Sequence, residues 1–401
     1  MADGTRPRVL LVNHTARLGG NELGVARLIP LLMDKFDVEA LLFEDGDLGR
    51  VLREHGVEVH IRRLRTEVVH TDRHAAAGLR AATLAGPATA AFTGALLQWL
   101  RQQRVDLLWA NTFKAMAIAT PAAKLLGIPV LWHLHDRVAD DYLPHRLVRP
   151  MRAAFRRVPD AVVANSRATA DTAGCRSTPA VVHPGLIPEK VQLRSELPVG
   201  PPVIGMIGRI SPTKGQVVLI RALPEVLRRH PEARVRIIGA AMFGEGEYEL
   251  KARAEAQRLG VDHAISWVEF QRDTRPELDA MTVAVHAATV PEPFGQVITE
   301  AMARCVPIIA TRGGGATEIV EPSTNRRRGQ LVDPGDVAGL RDALMRVLDD
   351  PASAQQLATR VQPEIVATYS IDRSADAMRQ VWRGLLDQEE PRRHSMLRPK
   401  G

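Results

Sequence analysis

The amino-acid sequence predicts an α/β fold of two doubly wound domains, each a parallel sheet with helices on both faces, that face a common cleft. The chain has 401 residues, more than one hydrophobic core usually serves. Short apolar runs alternate with helical stretches, which is the pattern of parallel βαβ units. The pattern stops at a polar, Pro-containing segment, residues 186–202, and then begins again. This interruption separates two domains of the same architecture.

The first domain, predicted over residues 1–187, starts with a strand. Its apolar runs predict buried strands because they are short and bounded by polar or turn-forming residues. Gly19-Gly20 precede a helix predicted over 22–33, and Asp47 caps a second helix that ends at Gly56. The predicted strands are 9–13, 38–43, 57–61, 106–110, 130–133 and 161–165.

A linker is predicted over residues 188–202, and a second domain over 203–370. The strands predicted there are 203–207, 234–238, 264–268, 283–286 and 307–310. A last helix over 371–388 is expected to pack back on the first domain. Residues 389–401 are charged and contain proline, so we expect a disordered tail.

Composition limits the function classes. Apolar residues make up 45% and charged residues 25%, which excludes a disordered or collagen-like chain. The 53 Lys and Arg exceed the 46 Asp and Glu, and the net charge of +7 favours anionic partners. The two cysteines, Cys175 and Cys305, have no zinc or disulfide-scaffold spacing. With no secretory signal in the first residues, we expect a cytoplasmic protein.

Residues 81–100 carry no formal charge and have the length of a membrane span. Ala, Thr and Gly dominate this stretch and Pro87 interrupts it, so its insertion energy is small. We expect a buried or interface helix.

A loop with two cations follows the first strand of the second domain. The sequence GRISPTKGQ places Arg209 and Lys214 before a helix that starts near Gly215. Arg as a planar fork and Lys as a point charge can together neutralise a diphosphate. The loop is not a P-loop, because the GK[ST] ending is absent. A solvated basic turn is the alternative.

A second signal is the run PEPFGQVITEAMARCVPIIATRGGGATEIV. Glu292 stands just before a helix whose first position suits Pro293, and Glu300 lies eight residues later. At 1.5 Å per residue these carboxylates would be on the order of 10 Å apart, too far for one acid/base couple. The spacing suits the two ends of an extended ligand with phosphates near the helix N-terminus. The glycines at 313–315 allow close backbone approach or simply make a tight turn.

The sequence HLHD follows a predicted strand and gives His133, His135 and Asp136 at the end of the first sheet. Alternate residues share a strand face, so a zinc site is one reading, although no second ligand cluster is evident. The other two interpretations are that both histidines are structural, or that at least one of them acts in the active site.

Further candidates for the acceptor side follow the first strand. Glycines at 19 and 20 permit close approach of a ligand, Asn21 offers donor and acceptor groups, and Glu22 is adjacent. The alternative is an ordinary strand-to-helix turn with Asn21 as a cap. Lys114, shortly after the fourth strand, is a weaker candidate.

Taken together, GRISPTKG, EPFGQVITE and EAMARCVPIIATRGGG resemble the donor-binding half of the retaining glycosyltransferase family four, the glycosyl transferases group 1. That family has the GT-B architecture of two Rossmann-like domains. The resemblance is strong over residues 203–340 and weaker in the first half, where Gly19-Gly20 and VVHPG at 181–185 also fit.

The resemblance implies roles for individual residues. Arg209 and Lys214 would bind the donor diphosphate, Glu292 the donor sugar hydroxyls and Glu300 the ribose. Gly19 and Gly20 would face the donor. A pocket for the sugar and phosphate would be completed by Phe294, Gly295, Gln296 and Val297. A histidine stands at the strand end in family members, and counting from Pro129 favours His135 over His133. The residues expected to act in catalysis are His135, Arg209, Lys214 and Glu292.

The sequence departs from the family pattern in three places. Cys305 stands where the family often has Gly, Thr282 where it has Asp, and Phe270, Gln271 and Arg272 replace Gly-containing text near the nucleotide base. Cys305 is small and apolar and is expected to pack in a core.

The resemblance implies transfer of a sugar, with retention, from a nucleotide-diphosphate sugar to a hydroxyl of a small sugar, cyclitol or secondary metabolite. A UDP-sugar is favoured and a GDP-sugar is the other donor considered. No catalytic metal or other cofactor is expected, because two cations can stabilise the leaving diphosphate.

Two alternatives remain. The basic stretch LPHRLVRPMRAAFRR suggests a membrane-peripheral glycosyltransferase with a glycolipid or cell-envelope acceptor, although Pro150 limits a helix there. The pI near 9.8 alone suggests a non-catalytic membrane- or nucleic-acid-binding protein. No nucleic-acid-binding motif supports a specific nucleic-acid partner.

Overall fold

The computed structural model describes residues 6–65, 79–242, 244–322 and 327–396. The chain divides into two compact units. Unit 1 comprises Met1–Gly185 and Ile371–Gly401, and unit 2 comprises Leu186–Ser370.

Unit 1 contains a parallel sheet with the strand order β3-β2-β1-β4-β5-β6-β7. Its strands are β1 Arg8–Asn13, β2 Asp37–Leu42, β3 Glu58–Ile61, β4 Leu107–Ala110, β5 Val130–Leu134, β6 Ala161–Ala164 and β7 Ala180–Val181. Its helices are α1 Gly20–Leu32, α2 Asp47–Glu54, α3 Leu79–Gln102, α4 Phe113–Leu125, α5 His145–Phe155 and α6 Arg167–Ala173, with a final helix described below.

The central strands β1, β4 and β5 of unit 1 are buried on both faces because helices cover both faces of the sheet. Every residue of β4 and β5 is buried, and α1 buries Val25, Leu28 and Ile29 among others. The helix α3 covers the uncharged stretch 81–100 and buries Leu96 and Leu100. No helix in the described ranges is long and apolar enough to cross a membrane.

Unit 2 contains a second parallel sheet with the order β10-β9-β8-β11-β12-β13. Its strands are β8 Val203–Ile207, β9 Arg234–Ile238, β10 Ile265–Val268, β11 Val283–His286, β12 Ile308–Thr311 and β13 Gln330–Val332. Its helices are α7 Gln216–Arg229, α8 Gly246–Arg258, α9 Arg275–Asp279, α10 Gln296–Ala303, α11 Gly314–Val320, α12 Val337–Asp349 and α13 Pro351–Tyr369.

The predicted fold class is confirmed, since each unit is a doubly wound α/β domain. The segment predicted as a linker, 188–202, is part of unit 2. Its Arg194 guanidinium donates to the carbonyl oxygens of Asp279 and Met281 at 2.8 and 3.1 Å. The Gln355 amide donates to the Arg194 carbonyl oxygen at 2.9 Å. These bonds explain why a polar segment without strands does not behave as a connector.

The last helix, α14 Ile371–Met396, belongs to unit 1, where Trp382 meets Phe36 edge to face at 5.0 Å. It extends into the predicted disordered tail, so residues 389–396 are helical. Residues 397–401 of that tail lie outside the described residues. The helix α5 continues through Pro150, which was expected to limit it.

Candidate active site

Each sheet has a switch point, where the strand order reverses, between β1 and β4 in unit 1 and between β8 and β11 in unit 2. Ligands of doubly wound sheets bind beyond the carboxyl ends of the strands near such points. The candidate residues in each unit follow these strands or their neighbours.

The loop between β8 and α7 is held by its own backbone and by one amide side chain. Gly208 N donates to the Ile238 carbonyl oxygen at 2.9 Å, which ties the loop to β9. Gln216 is fully buried, and its Nε2 donates to the Arg209 carbonyl oxygen at 2.9 Å. Its Oε1 accepts from Ser211 N at 3.3 Å. The backbone that carries Arg209 is therefore fixed at both ends.

The guanidinium of Arg209 lies against a carboxylate that the sequence did not single out. Arg209 Nε is 3.2 Å from Glu245 Oε2, and both side chains are about one-quarter exposed. Glu245 precedes α8, in the connection that follows β9. A carboxylate on a guanidinium occupies the position that a phosphate oxygen would take.

Lys214, Glu292 and His286 form a second charged group. Lys214 Nζ donates to both Glu292 oxygens at 2.7 Å, and His286 Nε2 lies 3.1 Å from Glu292 Oε2. Burial alone would raise the pKa of Glu292, but Lys214 and His286 outweigh it, and the pKa lies well below its usual range. Glu292 is therefore a fixed carboxylate acceptor beside an ammonium group.

The helix α10 begins at Gln296 with Gly295 as its N-cap, so the prediction of Pro293 at the first helical position was wrong. The cause is backbone pairing, because Glu292 forms a parallel bridge with Gly314 and its carbonyl oxygen accepts from Gly315 N at 2.8 Å. Glu292 thus lies outside the helix, and the spacing estimate along one helix axis does not apply.

Two glycines make that pairing sterically possible. A β-carbon on residue 314 would lie 1.9 Å from the Glu292 carbonyl oxygen, and one on residue 315 would lie 2.4 Å from that of Phe294. The Phe294 side chain is buried, whereas Gln296 and Val297 are the first residues of α10. The backbone of residues 292–294 is therefore held against the start of α11.

Glu300, the predicted ribose residue, lies on α10 and contacts two groups from other elements. Lys190 Nζ donates to Glu300 Oε1 at 2.6 Å, and Thr274 Oγ1 donates to Glu300 Oε2 at 3.3 Å. Lys190 ends a short 3-10 helix, Pro188–Lys190, inside the segment predicted as a linker.

In unit 1, His135 belongs to a buried amide network at the ends of β1, β4 and β5. Asn111 Nδ2 donates to Asn13 Oδ1 at 3.1 Å, so Asn111 Oδ1 is the acceptor that faces His135 Nε2 at 2.7 Å. His135 Nε2 therefore carries the hydrogen, and Nδ1 is an acceptor with no partner among the described residues. Burial lowers the pKa of His135 to about 3, so the ring is neutral.

His133 lies beside His135 in the same cavity. The two ring centroids are 3.9 Å apart, and the His133 ring also stacks on Trp109 with a centroid distance of 5.8 Å. Neither ring nitrogen of His133 has a partner among the described residues. Burial and the neighbouring His135 lower the pKa of His133 well below its usual range.

Asn21 and His183 complete the polar lining of this cavity. His183 Nδ1 donates to the Asn165 carbonyl oxygen at 3.0 Å, and burial lowers the pKa of His183 to about 4. The cavity therefore presents neutral imidazoles and one amide, a set suited to hydroxyl groups.

The run from Gly19 to Glu22 starts α1. Gly19 is the N-cap, and Glu22 folds back on it and bonds the Gly19 backbone and the Asn13 side chain. A β-carbon on residue 19 would lie 2.8 Å from Glu22 Oε2, so glycine makes room for this capping contact. Burial and nearby Asp136 raise the pKa of Glu22. The Glu22 carboxylate thus makes a capping contact at the start of α1, and Gly20 is the first residue of that helix.

Asp136 accepts from the Tyr142 hydroxyl at 2.5 Å. Lys114 is the second residue of α4 and is not among the residues that line the cavity. His133, His135 and Asp136 form no metal-spaced cluster. Within the described ranges that spacing occurs at Glu39, Glu58 and His60, where Arg8 Nε lies 2.9 Å from Glu39.

Sequence reasoning missed several of these residues. Glu245 and His286 follow or end predicted strands, so the rule that ligands bind beyond strand ends could have found them. His183 lies in the VVHPG run, which was noted without a role for the histidine. Lys190 gave no usable signal, because its partner Glu300 lies 110 residues away in sequence.

Two family models match consecutive parts of the chain. The model described as Glycosyltransferase Family 4 matches residues 46–190, and the model described as Glycosyl transferases group 1 matches residues 189–362.

Individual proteins resemble the chain over different lengths. A D-inositol 3-phosphate glycosyltransferase of Corynebacterium urealyticum is 29% identical over 74% of this chain and 76% of its own length. A lipopolysaccharide core biosynthesis glycosyltransferase of Rhizobium meliloti is 30% identical over 46% of this chain, and the match spans only 51% of that relative. The crystal structure of Anabaena HepE in complex with UDP-glucose superposes with a TM-score of 0.77 at 25% identity, covering 94% of this chain and 100% of that chain.

Proposed function

Because the chain belongs to the group 1 glycosyl transferases of glycosyltransferase family 4, we propose that it transfers a sugar, with retention, from a nucleotide-diphosphate sugar to a hydroxyl group of a small sugar, cyclitol or secondary metabolite. The donor residues of this proposal lie in unit 2, except for Gly19 and Gly20, which lie in unit 1 with the acceptor candidates.

One observation carries the proposal. Arg209 and Lys214 follow β8 at the switch point of unit 2, and each is in contact with a carboxylate. Those contacts satisfy the cations without a ligand and can be exchanged for phosphate oxygens. A rigid loop with two cations at a strand end is the arrangement that a diphosphate requires.

The proposed step needs no covalent intermediate on the protein. The bond between the anomeric carbon and the distal phosphate oxygen breaks, and its electron pair stays on the leaving diphosphate. The acceptor oxygen bonds the anomeric carbon from the same face, and its proton passes to the departing phosphate oxygen. Arg209 and Lys214 stabilise the charge that develops on that phosphate, which lowers the barrier directly.

Glu292 and His135 are assigned to hydroxyl groups. Glu292 is an ionised carboxylate, so it accepts hydrogen bonds from donor sugar hydroxyls. His135 is neutral and lines the cavity of unit 1, so we assign its acceptor nitrogen to a hydrogen bond from a hydroxyl of the acceptor or of the reacting sugar.

A UDP-sugar is the favoured donor, with a GDP-sugar as the other possibility tested. The support is the likeness to HepE, which was solved with UDP-glucose and covers nearly the whole chain. We propose no metal cofactor, because the two cations of the β8–α7 loop supply the charge that a metal ion would otherwise supply.

Incubation with radiolabelled UDP- and GDP-sugars and a panel of sugar, cyclitol, polyol and glycolipid acceptors tests the proposal. Lys214→Ala should lower kcat/KM by about 10²–10³-fold in a folded protein, whereas Lys251→Ala, an exposed lysine on α8, should not. Activity should persist in EDTA. Absence of both transfer and donor hydrolysis by folded protein would reject the function, and loss in EDTA would reject the metal-free mechanism.

A second candidate is a membrane-peripheral glycosyltransferase with a glycolipid or cell-envelope acceptor. The observation that favours it is the helix α5, where Arg146 and Arg149 are exposed, with Arg157 just beyond its end. None of these three has an ion-pair partner within the described ranges. Arg152, on the same helix, instead turns inward and donates to the Val138 carbonyl oxygen at 3.0 Å. Exposed unpaired arginines on one helix suit an anionic lipid surface.

Co-sedimentation with vesicles of phosphatidylcholine and phosphatidylglycerol separates the two candidates. Binding that weakens on replacing the three arginines by Gln, but not on replacing Arg228, Arg258 and Arg327, supports the membrane-peripheral enzyme. No binding at low salt rejects it.

A further inference from the structure

Lys190 is a buried cation whose side chain has one close carboxylate partner. Its ammonium group and the Glu300 carboxylate are 2.6 Å apart, and the two side chains are only 10% and 12% exposed. Removing two charges from water is costly, and a buried pair contributes little net stability compared with apolar packing. A contribution to stability therefore does not explain why this ion pair is present.

The segment that carries Lys190 does not need the ion pair to stay in place. Arg304 donates to the Lys190 carbonyl oxygen at 3.4 Å, and its guanidinium binds the Asp279 carboxylate through two bonds of 2.6 Å. Gln192 N donates to the Ala303 carbonyl oxygen at 3.1 Å. The backbone is anchored by these bonds, so the Lys190 side chain is available for another task.

That task concerns the orientation of Glu300. Lys190 holds one carboxylate oxygen and Thr274 contacts the other, and they come from two different elements. Two donors at fixed positions restrain rotation of the carboxylate plane. A carboxylate in one fixed plane can accept from both hydroxyls of a vicinal diol, whereas a rotating one makes such a pair of bonds only part of the time.

We propose that Lys190 is a positioning residue for ribose recognition: it holds Glu300 in the orientation that accepts the 2′- and 3′-hydroxyls of the donor nucleotide. The proposal rests on the proposed function and on the role that the family resemblance implies for Glu300, which is to bind the donor ribose. It follows that the chain selects a ribonucleoside diphosphate sugar over a 2′-deoxyribonucleoside diphosphate sugar, and that Lys190 supports this selection through Glu300.

The test compares binding of UDP with 2′-deoxy-UDP, and of GDP with 2′-deoxy-GDP, by calorimetry on the full chain. The wild type should bind one ribonucleotide about tenfold more tightly than its deoxy form. Lys190→Met should reduce that ratio to about twofold and raise the donor KM with little change in kcat. Lys251→Met, which removes an exposed lysine on α8, should keep the wild-type ratio.

A double variant shows whether Lys190 acts through Glu300. In a Glu300→Gln background, Lys190→Met should change the ratio no further, because the carboxylate that it orients is gone. An additional loss of discrimination in that background would contradict the positioning role.

The remaining outcomes are also decisive. Failure of the folded wild type to bind either ribonucleotide overturns the proposed function and this inference together. Binding without ribose discrimination, or full discrimination by folded Lys190→Met, overturns the inference alone. If Lys190→Met does not fold, Lys190→Arg should keep the ratio and Lys190→Gln, which donates without a charge, should lower it. An unchanged ratio in folded Lys190→Gln then rejects the proposal.

Discussion

Cys305 has a backbone φ of 55°, in the left-handed region that favours glycine. It follows Arg304 at the end of α10, where Cys305 N donates to the Met302 carbonyl oxygen and Val306 N to that of Ala301. These two bonds form a Schellman motif, which places glycine at this position in many helices. Cysteine in place of glycine at position 305 therefore introduces backbone strain, and this strain is limited because the side chain is small.

The strain at Cys305 predicts opposite tolerances for two substitutions. Cys305→Gly should leave the free energy of unfolding within about 1 kcal/mol, because relief of strain offsets the lost packing. Cys305→Val should lower it by about 2–3 kcal/mol, since a β-branched residue fits this region poorly. Urea denaturation measures both, with Cys175→Val as a control at the other cysteine. A Val variant as stable as the wild type would contradict this explanation.

The Glu292 carboxylate predicts a pH dependence of stability. Its pKa is lower in the folded protein than in the unfolded chain, because Lys214 and His286 stabilise the ionised form against burial. A depressed folded-state pKa contributes stability that is fully present above the unfolded value, near 4.5, and is lost as pH falls through the folded value.

Glu292→Gln should therefore lower the free energy of unfolding by roughly 1–2 kcal/mol at pH 7, and by less at pH 3. Denaturation curves at both pH values give the difference. Glu54→Gln, at an exposed position on α2, should not show an effect on the free energy of unfolding that is smaller at pH 3 than at pH 7. If the difference in unfolding free energy between the wild type and Glu292→Gln stays constant or grows toward pH 3, Glu292 is not held ionised by its neighbours.

At the scale of elements, the connection from β11 to α10 is defined by contact with the start of α11. Gly314 has φ of 60°, and a β-carbon there would lie 1.9 Å from the Glu292 carbonyl oxygen. Gly335 has a similar φ of 74°, with nothing within 4 Å of an added β-carbon. The two glycines therefore have similar φ angles, at which any other residue would be strained. They differ in the space that an added β-carbon would find.

This pair separates strain from close approach. Gly335→Ala should cost about 1 kcal/mol of unfolding free energy and keep transferase activity. Gly314→Ala should cost at least about 2 kcal/mol more and reduce activity by an order of magnitude or more, because Glu292 must move. Equal effects of the two substitutions on activity would mean that the backbone pairing with Gly314 does not position Glu292.

The element boundaries show what sequence patterns could and could not provide. The eleven predicted strands are present because each is an apolar run between polar residues, whereas β7 and β13, with 2 and 3 residues, are too short to give such a pattern. The start of α10 was predicted too early because Pro293 suits a first helical position. The parallel pairing of Glu292 with Gly314, distant in sequence, decides the start instead.

The same distinction applies to the site. Arg209, Lys214, Glu292 and Glu300 could be identified because each lies in a local motif. Their partners Glu245, His286 and Lys190 come from separate elements, and a single sequence carries no record of such contacts. The sequence therefore predicts which charges are present, whereas the structure shows what holds each one.

At the scale of the molecule, the two units differ in how the chain builds them. Unit 2 is one continuous segment, Leu186–Ser370, with its own sheet and buried clusters on both faces. Unit 1 requires α14, which returns after unit 2. Trp382 on α14 is fully buried and contacts Phe36 at 5.0 Å and Trp109 at 5.4 Å. Loss of so large a buried residue costs several kcal/mol, about half of a typical domain's stability.

This asymmetry predicts different fates for the separated segments. Residues 186–370 expressed alone should unfold cooperatively and bind UDP or GDP within about threefold of the full chain, because every proposed donor residue except Gly19 and Gly20 is in unit 2.

Residues 1–185 alone should fail to unfold cooperatively. Joining residues 1–185 to 371–396 by a short Gly-Ser linker should restore folding, since a β-carbon on Gly185 would lie 2.4 Å from the Ile371 Cα atom. Calorimetry and thermal circular dichroism measure these outcomes. Cooperative folding of 1–185 without α14 would show that the helix is dispensable, and a folded 186–370 that binds neither nucleotide would place the donor site elsewhere.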